Sequence, residues 1–381
     1  MTNPIAILLV WVPLGVMAYN WTLFPALLML AVGLKRAKPV TARAVDLPRV
    51  TIVIAAWNEE LCIAAKIGNC LAFDYPVDRL EIVVGTDAIT DRTNEIVRSF
   101  ADRGVKLHAV DERLGKSAVL NMLIPDVHGD LVLLTDADVL MAPSALRLAV
   151  GRFSDEKVGV LLFHYQRRNE DGHVAEGLWD RYENWLKRLE GELGAAVGVY
   201  GWAMMLRKSL YEPIPPETIS DDYVLGTRPF RLGYSAVYEP RAFCWTRTET
   251  ARVEFTRKAR NSRGSIQAFF MMPDLFLPRF GIKSWVLFSH KFLRWVTPFL
   301  MLAILVGSAA GWRIPFFRIA LMVQLLVYLT TPLVLVARGP LRKFLFPQYY
   351  VWANMALLAG YWQYFFGRRL AYNWLRTARR R

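Results

Sequence analysis

Two aspartates spaced i, i+2 offer the clearest chemistry in this sequence. Asp136 and Asp138 close the segment 131–140, LVLLTDADVL, where a short apolar run bounded by Gly129-Asp130 ends abruptly in carboxylates. Such a run reads as a buried parallel strand, and its C-terminal end is where open α/β sheets hold their ligands. Two carboxylates on a strand-end turn are oxygen ligands suited to Mg²⁺ or Mn²⁺, above all to an ion shared with a diphosphate. The plainer reading of any isolated Asp-x-Asp is a solvated turn. Polar groups also close two earlier apolar runs: Trp57-Asn58-Glu59 follows 50–56, VTIVIAA, and Asp87 follows 80–85, LEIVVG. An aromatic ring and a carboxylate suit a nucleobase, one by stacking and one by hydrogen bonding. Gly115-Lys116-Ser117 does not belong to a Walker site, because the first glycine of such a loop would fall at Val110. No G-x-G-x-x-G follows the first strand either.

These groups meet only if their runs are neighbouring strands. The runs 50–56, 80–85, 105–110 and 131–135 read as strands. Helices follow the first two, a third helix spans 116–123, and Pro143 opens another. The alternation specifies an α/β fold, a doubly wound parallel sheet with three polar strand ends on one crevice. Asn58 stands where it would cap the first helix, with Glu59 and Glu60 in its first turn. A helix over 175–190 carries Leu178, Tyr182, Trp185 and Leu189 at helical spacing, a stripe that reads as packing.

The composition places this sheet beside a membrane. Of 381 residues, 54% are hydrophobic and 13% aromatic, and the formal net charge is +14. Lys and Arg beside apolar spans are explained by cytoplasmic membrane flanks more simply than by nucleic acid. Residues 5–34 are apolar and uncharged, too long for a signal-peptide core, and read as a retained transmembrane helix; Lys35, Arg36, Lys38 and Arg43 place its end in the cytoplasm. Later, 266–280 is apolar but broken by Pro273 and Pro278, which suits the interface. A second interfacial helix over 285–295 leads into a span at 296–311, 316–336 is a clear span, and 350–366 a weaker one. Arg338, Arg342 and Lys343 mark a cytoplasmic loop. One N-terminal and three C-terminal spans would strand the Arg-rich end, 368–381, outside, against the positive-inside rule. Either 350–366 stays at the surface or 285–311 does not fully cross. Cys62, Cys70 and Cys244 have no metal-ligand spacing and read as reduced thiols.

Seven segments in order resemble the inverting family 2 glycosyltransferases of the GT-A fold, membrane-embedded like the polysaccharide synthases. They are VTIVIAAWNEE (50–60), VVGTDAITDRT (83–93), LGKSAVLN (114–121), TDAD (135–138), GVYGWAMMLRKSLY (198–211), ISDDY (219–223) and TRKARNSRG (256–264). The resemblance implies a Rossmann-like, mostly parallel sheet with flanking helices, plus transmembrane and interfacial helices. It implies that Trp57 stacks on the nucleobase, beside Asn58 and Glu59, and that Asp87 bonds the base; Thr86 stands where the family often has a second aspartate. Lys116 falls in an element near the donor, where it would pair with diphosphate or sugar. Asp138 matches the metal ligand, and Asp136 the donor sugar and ribose side. Asp222 matches the catalytic base, which takes the acceptor's proton as its oxygen attacks the anomeric carbon. Asp221 is its neighbour in the motif, and the pair would also charge the first turn of a helix over 221–232. Arg260 matches an arginine able to hold the leaving diphosphate. Processive synthases carry Gln-x-x-Arg-Trp here; this chain has Arg257 and Asn261 at the outer positions, and lacks the tryptophan of the acceptor platform. Trp202 reads equally as a sugar platform or as core.

The expectation is therefore three parts: a transmembrane helix over 1–34, a cytoplasmic GT-A domain over 35–265, and interfacial and transmembrane helices over 266–381, in a bacterial inner or plasma membrane. The function expected is metal-dependent, inverting transfer from a nucleotide-diphospho-sugar, UDP-linked by preference, to a glycan or lipid-linked acceptor, with a homo-oligomer or export partner open. Processive polysaccharide synthesis is the alternative. An inactive structural subunit of an export complex and a soluble nucleotidyltransferase are rivals from other classes, and the full set of carboxylates and the spans weigh against them.

Overall fold

A computed structural model describes residues 4–35, 47–169, 172–197, 202–247, 251–336 and 345–367. Arg36, Lys38 and Arg43, positions 198–201 of the segment 198–211, the basic residues Arg338, Arg342 and Lys343, and the Arg-rich end from 368 lie outside them. The chain groups into two compact units: residues 1–30, 249–267 and 287–368, and residues 31–248, 268–286 and 369–381.

The second unit is built on one eight-stranded sheet. Its strands are β1 (Val50–Ala56), β2 (Leu80–Asp87), β3 (Val105–Val110), β4 (Leu131–Asp136), β5 (Leu140–Met141), β6 (Val158–Arg168), β7 (Ala203–Arg207) and β8 (Ser235–Arg247), in the order β3-β2-β1-β4-β7-β6-β8-β5. β1 is buried along its whole length because strands flank it and helices cover the sheet, which is why its sequence is Val, Ile and Ala apart from Thr51. β1 runs parallel to β2 and β4, and β2 parallel to β3. The doubly wound pattern expected from the sequence ends there. β7 returns antiparallel between β4 and β6, β8 is parallel to β6, and β5 closes the edge antiparallel to β8. The sheet is mixed because the chain leaves the centre after β4 and comes back in the opposite direction.

Two local expectations are corrected. Asn58 caps no helix: the first helix is Ile63–Leu71 with Cys62 before it. Asn58 instead adopts a left-handed backbone, φ 55°, which asparagine tolerates better than most residues. Its amide pairs twice with Thr90, donating to Oγ1 at 2.8 Å and accepting from the backbone N–H at 2.9 Å. Second, the helix Leu178–Glu192 does not bury its apolar stripe. Leu178 and Trp185 are exposed, while Glu183, Asn184, Leu186, Lys187 and Glu190 face inward. Partners satisfy this polar face: Asn184 donates to the Tyr165 carbonyl at 3.2 Å, and Glu190 accepts from the Val197 N–H at 3.3 Å. Side-chain spacing fixed the helix but not which face turned inward, because these hydrogen bonds come from distant segments.

The first unit is helical. Among the described residues three helices are long and apolar enough to cross a membrane: Pro4–Leu34, Ile282–Ala310 and Pro315–Val336. The second corrects the reading of 285–295 as a separate interfacial helix. Lys291 and Arg294 interrupt the apolar sequence, but the helix continues through them by a π-helical stretch, Leu287–Phe292. Gly307 lets it approach the first span: a Cβ there would stand 2.8 Å from both Leu9 and Val10 side chains. Phe346–Phe365 is a 20-residue helix outside this set of three. The expected breaks at Pro273 and Pro278 open two short 3₁₀ turns, Pro273–Phe276 and Pro278–Phe280.

Candidate functional site

Register gathers the site. Ala55 stands opposite Gly85 on β2 and opposite Asp136 on β4, so the parallel strands end in one row. Trp57, Asp87 and Asp136 therefore leave the sheet at the same edge. The next groups come from the helix Lys116–Leu123, whose entry needs Gly115 at φ 91°. Both oxygens of the fully buried Asp87 hold this entry, accepting from the N–H groups of Leu114 at 2.6 Å and Gly115 at 3.0 Å.

Lys116 is the centre of the cluster. Its ammonium lies 3.0 Å from Asp136 Oδ1 and 3.2 Å from Asp221 Oδ2. Asp221 and Asp222 open the helix Asp221–Thr227. Burial would lower the lysine's affinity for its proton, but the carboxylates of Asp136, Asp221 and Asp222 raise it well above the ordinary lysine range. Asp222 moves the other way from a normal carboxylate. Burial first, and the charge of Asp221 next, push it up to about 7 against the pull of Lys116. Strand end, lysine helix and acidic helix thus form one electrostatic unit, and a small cavity among them is lined by Lys116, Thr135, Asp221 and Asp222.

The same helix also anchors the segment that delivers Asp221 and Asp222. Ser117 donates to the Thr218 carbonyl at 2.9 Å. Asn121 Nδ2 donates to the Ile214 carbonyl at 2.7 Å, and its Oδ1 accepts from Tyr211 Oη at 2.6 Å and Ile214 N–H at 3.0 Å. At the far side Trp57 is half-buried, and the guanidinium of Arg113 stacks 3.6 Å from its ring centre. Glu59 is tied to the second strand's loop, its N–H donating to Thr93 Oγ1 at 2.8 Å.

Asp138 lies two residues past Asp136, half-buried, with Thr246 Oγ1 3.4 Å from its Oδ2. Among the described residues no group of three or more His, Cys, Asp or Glu forms a metal cage. Asp136 and Asp138 are hard oxygen donors, half-buried on one turn. That set fits Mg²⁺ or Mn²⁺ held by one or two carboxylates and completed by phosphate oxygens and water. Trp202 stacks on Tyr165 and packs against the core, and its carbonyl accepts from the Asp136 N–H at 3.2 Å. Arg257 and Arg260 are half-buried on the helix Ala251–Met271, in the helical unit.

The stacking of Arg113 on Trp57, Asn121's loop contacts and the bond from the Lys66 ammonium to Thr135 Oγ1 at 2.9 Å do not follow from the sequence; only Lys66 leaves a signal there, a charge on the apolar stripe Ile63, Lys66, Ile67, Cys70.

With this geometry in view, the chain's similarities to known proteins carry weight. A family model described as Glycosyltransferase like family 2 matches residues 48–264. A beta-monoglucosyldiacylglycerol synthase of Nostoc sp. is 27% identical over 276 residues, 66% of this chain and 57% of that protein. A poly-beta-1,6-N-acetyl-D-glucosamine synthase of Staphylococcus aureus is 25% identical over 208 residues, 52% of this chain and 50% of that protein. The chain spans about half the length of the curated relatives it matches. Among solved structures, the mannosyltransferase PcManGT of Pyrobaculum calidifontis, in complex with GDP-Man and Mn²⁺, superposes with a TM-score of 0.68 at 24% identity, over 93% of this chain and 98% of that one. The fold is GT-A.

Proposed function

Because the chain belongs to the glycosyltransferase-like family 2, whose model matches residues 48–264 of its 381, we propose that it is a metal-dependent, inverting glycosyltransferase. It takes one or a few sugars from a nucleotide-diphospho-sugar to a lipid-linked or membrane-proximal hydroxyl. The observation that carries this reading is the bridge made by Lys116 between Asp136 and Asp221. It joins a diphosphate-side carboxylate to an acid pair poised as base.

In the proposed reaction the donor's nucleobase lies at the Trp57 and Asp87 edge, beside Asn58 and Glu59. Asp138 and Asp136 would hold Mg²⁺ or Mn²⁺; when bound, the ion neutralises charge growing on the leaving diphosphate. Asp222 accepts the acceptor's proton while the acceptor oxygen bonds to the anomeric carbon from the face opposite the diphosphate. The bond from that carbon to the diphosphate oxygen breaks, and its electron pair leaves with the nucleoside diphosphate. Lys116 exchanges a carboxylate for a diphosphate oxygen, while Asp221 keeps it aligned. The glycolipid synthase among the relatives supports a lipid acceptor. The loss of glutamine and tryptophan at 257 and 261 weighs against processive synthesis.

The catalytic unit is proposed to face the cytoplasm of a multi-pass protein. Three crossings, Pro4–Leu34, Ile282–Ala310 and Pro315–Val336, put 311–314 outside and return the chain to the cytoplasm with its later arginines. The helix Phe346–Phe365 then stays on the cytoplasmic side, which removes the parity conflict of four spans.

The test uses the full chain in nanodiscs with Mn²⁺ or Mg²⁺, a panel of UDP- and GDP-sugars, and membrane lipid extract. Release of nucleoside diphosphate with a single lipid-soluble product, abolished by Asp138→Ala, is the expected result. A high-molecular-weight ladder would replace it with processive synthesis. Pyrophosphate as product would mean nucleotidyl transfer instead.

A further inference from the structure

Lys66 is a fully buried lysine beneath the turn that carries Asp136 and Asp138. It sits on the helix Ile63–Leu71, and its ammonium donates to Thr135 Oγ1 at 2.9 Å and to the Val139 carbonyl at 2.6 Å. Those two residues bracket Asp136-Ala137-Asp138. One turn along the helix, Asn69 grips the next residues of the same segment: its amide donates to the Met141 carbonyl at 2.8 Å and accepts the Met141 N–H at 2.9 Å. Thr135 Oγ1 passes the chain of bonds on, donating to the Trp202 carbonyl at 2.9 Å.

Burying an ammonium against neutral oxygens is unfavourable, and an apolar side chain of similar length would fill the space without that cost. The site supplies a reason for the charge. Two carboxylates at i, i+2 repel one another, and a cation behind their turn offsets that repulsion. Bonds at both ends of the turn also fix its backbone, so the carboxylates need little reordering when an ion arrives.

We propose that Lys66 is a positioning residue for the Asp136–Asp138 turn. It sets the two carboxylates to receive a divalent cation with a nucleoside diphosphate before either ligand arrives. The assignment rests on the functional reading above, and deepens it. The residue touches neither ligand; it acts through Thr135 and the backbone at Val139.

The experiment measures Mn²⁺ binding directly, by loss of the free-ion paramagnetic resonance signal, on the full chain in nanodiscs with UDP or GDP present. Lys66→Met is expected to weaken Mn²⁺ binding about 10-fold or more, the range seen when groups that orient metal ligands are removed. UDP or GDP binding without metal, and the melting temperature, are expected to stay near wild type. Lys66→Arg is expected to recover part of the loss. Thr135→Val removes only the hydroxyl link and carries the same test if Lys66→Met does not fold. Wild-type Mn²⁺ affinity in a folded Lys66→Met or Thr135→Val protein would overturn the proposal. Equal loss of metal-free nucleotide binding would overturn it too, since that marks general damage. If the wild-type protein binds no Mn²⁺ with either nucleotide, the functional reading fails as well.

Discussion

At the residue scale, the proposed function turns on one unusual carboxylate. Asp222 is held at about 7 by burial and by Asp221, so it can accept a proton near neutral pH without releasing it at once to water. The base must be ionised to act, and its proton-bound form grows as pH falls through about 7. We therefore expect kcat/KM to fall on the acid side of about 7, and Asp222→Asn to lower kcat by about 10²–10⁴-fold while donor binding remains. A pH–rate profile with and without the substitution checks both. The same shift has a stability consequence. A carboxyl whose folded pKa is raised costs the fold stability once pH exceeds its ordinary value of 3.8, with the full cost reached above about 7. Asp222→Asn should accordingly melt higher than wild type at pH 8, with the difference shrinking towards pH 4. A melting difference that does not change with pH would contradict the assignment.

At the scale of elements, the helix Lys116–Leu123 does two jobs. Its first residue neutralises Asp136 and Asp221, and its later face holds the segment leading to Asp222 through Ser117 and Asn121. Gly85 lets it lie against β2: a Cβ there would come 2.4 Å from Leu123 Cδ1 and 2.7 Å from Val119 Cγ1. Asn121→Ala removes the acceptor for both Tyr211 Oη and the Ile214 N–H. Buried donors left without partners cost about 1–3 kcal/mol each, so the 211–218 segment should loosen. The expected outcome is a lower kcat with nucleoside diphosphate affinity nearly unchanged, read by turnover and by calorimetric UDP or GDP titration. Loss of nucleotide affinity equal to the loss of kcat would place Asn121 in the donor site instead.

At the scale of the whole molecule, the proposal concerns sidedness. On that proposal, the three helices long and apolar enough to cross would leave 311–314 outside and return the chain to the cytoplasm after Val336. Arg313→Cys in intact cells should react with a membrane-impermeant maleimide, while a cysteine appended after Arg381 should react only after permeabilisation. The opposite pattern would mean that Phe346–Phe365 crosses as well, or that Ile282–Ala310 does not. The same assay bears on the native thiols. Cys62, half-buried and in no disulfide, should be silent in intact cells if the catalytic unit is cytoplasmic.

The sequence by itself determined the parts whose cause is local. Short apolar runs specified β1 and β4, and the polar groups at their ends followed from where parallel strands stop. The length of apolar segments marked the helices long and apolar enough to cross a membrane, though not that 285–295 continues into one of them. The motif order pointed to the family, because residues that must meet at one strand edge recur in one order along the chain. What depends on distant partners needed the tertiary structure. The inward face of Leu178–Glu192 was chosen by hydrogen bonds to Tyr165 and Val197, which no periodicity within the helix encodes. Asn58 was drawn from a cap to Thr90 by a left-handed turn. The antiparallel return of β7 beside β4 is a matter of path, and it puts the Trp202 carbonyl within reach of Asp136 and Thr135. Most of all, the raised Asp222 and the Lys116 bridge exist only where three elements converge. A charge's proton affinity is set by its neighbours in space, and the sequence names those neighbours without saying which of them meet.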